Sequence, residues 1–247
     1  TILSAYGGNV SHIVNIGTNI DSSRTAVAQA ARYEGMYAAV GIHPEDCQQI
    51  EYPEAQIAAL RTLLGCDTPD PAAYRKQTKI VAIGEIGLDY YWDTNPPKEF
   101  QQEVFRRQIE LALELDLPVI VHERDAHNDG MTIVKEFPKV KGVFHCSSGS
   151  AEMARQLVNM GWYIGFTGVL TFKNAKKAVE VASRIPLDRL VLETDCPYMA
   201  PEPFRGKRNH PGYLYRMAQR LAELRGVSLE EIHRITTENG KRLYRIP

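Results

Sequence analysis

Short apolar runs alternate with longer amphipathic stretches along almost the whole chain. The runs are His12–Ile16, Tyr37–Ile42, Ile80–Ile83, Val119–Val121, Gly142–Phe144, Trp162–Phe166 and Leu190–Leu192. Each is rich in β-branched or aromatic residues and bounded by Gly, Pro or polar residues, the pattern of buried strands. The stretches between them have helical spacing. Phe100, Val104, Gln108, Leu111 and Leu115 lie 4, 4, 3 and 4 residues apart, an apolar stripe broken once, by Gln108, and ended by Pro118. Similar patterns predict helices over roughly 22–34, 54–64, 128–136, 151–160, 174–184, 211–225 and 229–244, the last opening with a capping pair, Ser228 and Glu231. Residues 65–79 carry two prolines and many polar side chains, and predict a surface loop.

Strands alternating with helices predict an α/β fold with a parallel sheet covered by helices. An open doubly wound sheet and a closed (β/α)8 TIM barrel share this rhythm. Seven strands are counted, not eight, and the first begins about ten residues from Thr1, so either the fold is not a barrel or its first βα unit is missing. No low-complexity tract or linker divides residues 1–247, which read as a single domain.

Composition narrows the picture. Hydrophobic residues make up 44% and charged residues 24% of the 247, values ordinary for a globular protein. Lys plus Arg is 29 against 30 Asp plus Glu, a net charge of -1 that excludes a wholly basic DNA-coating protein. No apolar run approaches the ~18 residues of a membrane span, and nothing at the start resembles a signal peptide. The four cysteines lack C-x-x-C spacing, so a cytoplasmic protein without disulfides is expected, and its size suggests a monomer.

Chemistry gathers where the strands end. His43, Glu85, His122, His145 and Asp195 each follow a predicted strand, at the end where α/β folds build active sites. Imidazoles, a Glu and an Asp are ligands for divalent cations, here one or two of Mg2+, Mn2+ or Zn2+. Such a centre activates water and clamps a phosphate. Cys146 and Cys196, beside two of these residues, read as small packing residues. Arg124 and Arg205 suit phosphate binding, and His43 suits either orienting a phosphate or capping its own loop. Tyr90, Tyr91 and Trp92 can stack unpaired bases or pack a lid. From Phe204 to Pro247 ten Lys or Arg face four Glu, a surplus of +6; beyond residue 212 this reads as a solvated helix face.

VGIHP (40–44), AIGEIGLDYY (82–91), VHERDA (121–126), HCSSG (145–149), ETDCPYMAP (193–201) and RGKRNHP (205–211) resemble, in order, the motifs of the TatD-type metal-dependent deoxyribonucleases, a branch of the amidohydrolase-like TIM barrels. The resemblance reaches the last helix through Asn239 and Arg242–Leu243. It implies a (β/α)8 barrel with Glu85 as the shared metal-bridging carboxylate, His122 and His145 as further ligands, and Asp195 as ligand and acceptor of the water's proton. Glu85 and Asp195 are thus the implied catalytic residues. It also implies an H-x-H pair on a first strand, which this sequence lacks; His12, at the start of its strand, cannot replace it. The expectation is an N-terminal segment of about 20 residues in a parent polypeptide, the length of a short βα unit. Ser147 stands where the family has an aromatic residue.

The reading that follows is a metal-dependent hydrolase of DNA phosphodiesters, a 3′-5′ exonuclease on single strands, with DNA as substrate and no membrane partner. Rival readings are a D-aminoacyl-tRNA deacylase, or another ester or amide hydrolase, on the same centre, and a non-catalytic binding protein.

Overall fold

The computed structural model describes residues 10–49 and 53–247. They fall into two compact units, His12–Gly142 and Val143–Pro247. The expected first strand with its H-x-H pair has no counterpart among the described residues, and residues 1–9 lie outside them.

In the first unit, strands β1 (Ile13–Ile16), β2 (Met36–Val40), β3 (Ile80–Asp89) and β4 (Val119–Arg124) pair in that order, all parallel. Helix α1 (Ile20–Arg32) returns the chain from β1 to β2; its N-cap Asn19 accepts from the Ser22 amide. Helices α2 (Pro53–Leu63) and α3 (Pro71–Thr78) precede β3, α4 (Lys98–Glu114) leads to β4, and α5 (His127–Glu136) follows it. Ala38, Ala39, Val40, Ile83, Ile86, Leu88, Phe105 and Ile109 are all within 1% of complete burial, so the continuous apolar runs of β2 and β3 are covered by helix.

The second unit repeats the rhythm. Strands β5 (Gly142–Phe144), β6 (Tyr163–Phe166) and β7 (Leu190–Leu192) are parallel and paired in order. Helices α6 (Ala151–Asn159) and α7 (Lys176–Arg184) connect them, and α8 (Leu214–Arg225) and α9 (Leu229–Tyr244) close the chain. Phe144 packs edge-on against fully buried Trp162, centroids 5.2 Å apart. Ser228 caps α9 by accepting from the Glu231 amide, as its pattern predicts.

Three expectations are corrected. Residues 65–79 are not a plain loop, because α3 lies within them. Pro71 occupies the first helical turn, where no amide is needed, Asp70 caps the Ala73 amide, and Lys79 ends the helix in the left-handed conformation. The prolines mark a helix start. Strand β3 extends six residues past Ile83 and β4 three past Val121, because backbone pairing continues through positions whose side chains are polar. The last pair of helices opens at Leu214, after a 3-10 turn over Pro211–Tyr213. Among the described residues no helix is long and apolar enough to cross a membrane.

Candidate metal centre

Glu85 owes its aim to an irregularity in β3. Ile83 pairs with Val119 and Ile86 with Val121, so three steps of β3 face two of β4. The surplus residue is a bulge at Gly84–Glu85, which breaks the in-out alternation and turns Glu85 independently of its neighbours. Beyond it, Gly87 pairs with His122 and Asp89 with Arg124. Gly87 has φ +137°, and a Cβ there would lie 2.0 Å from the His122 carbonyl oxygen. Only glycine lets β3 approach the backbone of His122 this closely.

His43, Glu85 and His122 come together in the first unit, with one candidate ligand atom from each within 4.8 Å of the others. His122 Nδ1 is 3.2 Å from Glu85 Oε1, and His43 Nε2 is 3.7 Å from the same oxygen. The two imidazole centroids are 4.4 Å apart. The outer hydrogen bonds assign different duties to the rings. His122 Nε2 donates to Asp89 Oδ2 at 2.9 Å, which leaves the Nδ1 lone pair directed toward Glu85. A carboxylate behind a histidine in this way fixes the tautomer and raises the basicity of the ligating nitrogen. His43 Nδ1 instead accepts from the Glu45 amide at 3.2 Å, which places its proton on Nε2. His43 therefore caps its loop and presents an N–H, suited to an anion, where His122 presents a lone pair. Glu85 and His122 fit a divalent cation by donor chemistry, with a hard oxygen and a borderline nitrogen whose ring is braced by Asp89.

Buried polar side chains hold these residues in place. Asp89 is fully buried; its Oδ1 also accepts from the Tyr91 amide and Asn95 Nδ2, both at 3.0 Å. Burial pushes the Asp89 carboxyl upward, but the hydrogen bonds from His122 and Tyr91 and the nearby charge of Arg124 outweigh it and hold the group below its ordinary value. Gln101 of α4 receives the Asp89 amide at 2.8 Å and donates to the Asp89 carbonyl at 2.9 Å. Gln108, seven residues on and so on the same helix face, does the same for Ile42, at 2.8 and 3.0 Å. Ser23 bonds the amide and carbonyl of Gly41, and the His43 amide donates to Thr18 at 2.7 Å.

The remaining expected residues are placed as follows. Arg124 stands two residues beyond His122, on the same face of β4, with its guanidinium 3.6 Å above the Tyr91 ring. Tyr90 is a wall residue: its hydroxyl donates to Asp129 and accepts from Gln102, and burial pushes its phenol up to about 12. Tyr91 and Trp92 are the exposed members of that trio. In the second unit His145 follows β5 and is buried, with Nδ1 3.5 Å from Glu193 Oε2. Glu193 also accepts from the Cys146 amide at 2.6 Å. Asp195 follows β7 in a left-handed conformation, φ 51°. Arg205 is exposed, lies 3.9 Å over the Phe172 ring and donates to the Ala200 carbonyl. Cys146 packs against Thr167 and Met199, and burial pushes its thiol up to about 11, but Cys196 is exposed, so the packing expectation fails there. Beyond residue 212, Arg220 and Arg234 pair with Glu223 and Glu238 on their own helices, as a solvated face should, but Arg216 is half-buried over the Phe204 ring and Arg225 donates to the Ala182 and Ile185 carbonyls, so the expectation fails for those two.

Four residues at these sites escape sequence reasoning: Asp89, Glu193, Gln101 and Gln108. The interruption of the α4 stripe by Gln108 was the available signal, since a polar residue on a buried helix face needs a buried partner.

A carboxylate and a carboxylate-braced histidine in the C-terminal halves of neighbouring parallel strands suit the divalent-cation site of an α/β metal-dependent hydrolase. The chain belongs to the TatD family, whose model, described as TatD related DNase, matches residues 1–245. It is 47% identical over 244 residues to the uncharacterized metal-dependent hydrolase YabD of Bacillus subtilis, covering 98% of this chain and 90% of that one. It is 34% identical over 253 residues to the 3′-5′ ssDNA/RNA exonuclease TatD of Cronobacter sakazakii, covering 98% and 90%. The crystal structure of YJJV, a TatD homologue of Escherichia coli K12, superimposes with a TM-score of 0.87 at 32% identity, covering 99% of this chain and 92% of that one. The fold is accordingly the TIM-barrel-like fold of that family.

Proposed function

We propose that this protein is a metal-dependent phosphodiesterase that trims single-stranded nucleic acid from a 3′ end. The observation that carries the reading is the Glu85–His122–Asp89 series, an oxygen and a nitrogen ligand with the second carboxylate behind the imidazole. A divalent cation held by Glu85 and His122 would polarise a phosphoryl oxygen and lower the pKa of water. His43 Nε2–H donates to a non-bridging phosphate oxygen, and the Arg124 and Arg205 guanidiniums bind flanking phosphates. Asp195 takes the proton of the attacking water, and His145 keeps the ligand role that the family resemblance implies. In this reading the 247 residues work as one cytoplasmic, monomeric hydrolase domain. The relative named as an exonuclease supports nucleic acid as the substrate class.

The test follows a 5′-labelled single-stranded oligonucleotide with and without Mg2+ or Mn2+, beside Glu85→Gln. Stepwise, metal-dependent shortening that the variant lacks is expected. Equal shortening by Glu85→Gln, or none by the folded wild type with either metal, overturns the reading.

A further inference from the structure

The turn after β3 leaves Tyr91 and Trp92 about half exposed, at 48% and 51%, in a T-shaped pair with centroids 4.6 Å apart. Large aromatic side chains are costly to leave in water unless something covers them. Arg124 lies over both rings, 3.6 Å from the Tyr91 centroid and 5.5 Å from that of Trp92. Among the described residues no carboxylate pairs with its guanidinium. The patch therefore offers aromatic faces side by side with a cation that has no carboxylate in ion-pair contact, which matches the flat base and the anionic phosphate of a nucleotide.

Its connection to the candidate centre is direct. Asp89 Oδ2 accepts from His122, while Asp89 Oδ1 accepts from the Tyr91 amide and from Asn95, whose side chain also reaches the Asp89 carbonyl at 3.1 Å. One buried carboxylate thus sets both the ligand histidine and the aromatic turn. The geometry points to Tyr91 and Trp92 as a stacking seat for an unpaired nucleobase, with Arg124 on the adjoining phosphate. Double-stranded ends are disfavoured because a paired base cannot leave its own stack to occupy the seat without loss of pairing. This rests on the nuclease reading for its place in catalysis, but not for binding.

The chain has two tryptophans, and Trp162 is buried, so fluorescence quenching by added ligand reports Trp92. The full chain in EDTA, where a metal-dependent reaction stops, is titrated with oligothymidylate and with an abasic oligomer of equal length. Saturable quenching by the first, weaker by about ten-fold or more in affinity with the second, is expected from base–aromatic stacking. Equal quenching by both, or by neither, overturns the seat even in an active nuclease. Base-dependent quenching in a chain that cleaves nothing keeps the seat and removes the nuclease reading. In an active enzyme, Trp92→Ala raises KM for single strands about ten-fold while kcat moves little, and Trp92→Phe restores most of the loss. A fall in kcat at constant KM assigns Trp92 to another role.

Discussion

Replacing Asp89 with asparagine tests whether the buried carboxylate, and not merely its shape, prepares His122 for a metal. The wild-type group accepts three hydrogen bonds, from His122 Nε2 at 2.9 Å and from the Tyr91 amide and Asn95 Nδ2 at 3.0 Å. An amide keeps one accepting oxygen and gains a donor. If its oxygen faces His122, its NH2 points at two donors on the Tyr91 and Asn95 side. If its NH2 faces His122, Nε2 must accept and the ring proton moves to Nδ1, which removes the lone pair from the ligand position. Loss of such a supporting carboxylate costs about 10- to 100-fold in metal affinity, or roughly 1.4 to 2.7 kcal/mol. Calorimetric titration with Mn2+ measures it, with circular dichroism as the check on folding. An Mn2+ affinity within about two-fold of wild type in a folded Asp89→Asn chain refutes the argument.

Three other outcomes follow from the same contacts. Gln108→Leu leaves the Ile42 amide and carbonyl buried without partners, at about 1–3 kcal/mol for each unsatisfied group; the urea midpoint should fall, and an unchanged midpoint contradicts the clamp. Gly87→Ala places a methyl 2.0 Å from the His122 carbonyl and should cost more than about 4 kcal/mol, whereas Gly226→Ala, also at positive φ but with open space around it, should cost about 1 kcal/mol by thermal melting. Of the four thiols, exposed Cys196 should react first with a chromogenic disulfide at pH 8. Cys47, buried with its thiol pushed up to about 12, should react only on unfolding, and early loss of Cys47 would contradict its placement.

Strand positions were legible because β-branched runs between polar boundaries are self-announcing; His145 and Asp195 do follow their strands, whereas Glu85 and His122 lie within β3 and β4. What stayed hidden depends on three-dimensional partners. Nothing in the letters around Ile83 shows the bulge that turns Glu85. Asp89 lies in a strand that apolar content alone ends six residues too early. The sequence leaves His43 as either a phosphate donor or a loop cap; the Glu45 amide shows the cap and, by fixing the tautomer, leaves the other ring nitrogen able to donate. Pro71 looked like a breaker because proline is ambiguous until the capping Asp70 is weighed with it.

The two glutamines of α4 give that helix a fixed length. Gln101 grips the last residue of β3 and Gln108 grips Ile42, two residues beyond β2, and their seven-residue separation keeps both on one face. Insertion of a single residue between them would rotate one side chain by about 100° and release one strand end. The same insertion in the turn at 66–69 would cross no such span. Residues 101–108 therefore act as a gauge block between two strands, so evolution or design can vary their surface-facing side chains freely while their count stays invariant.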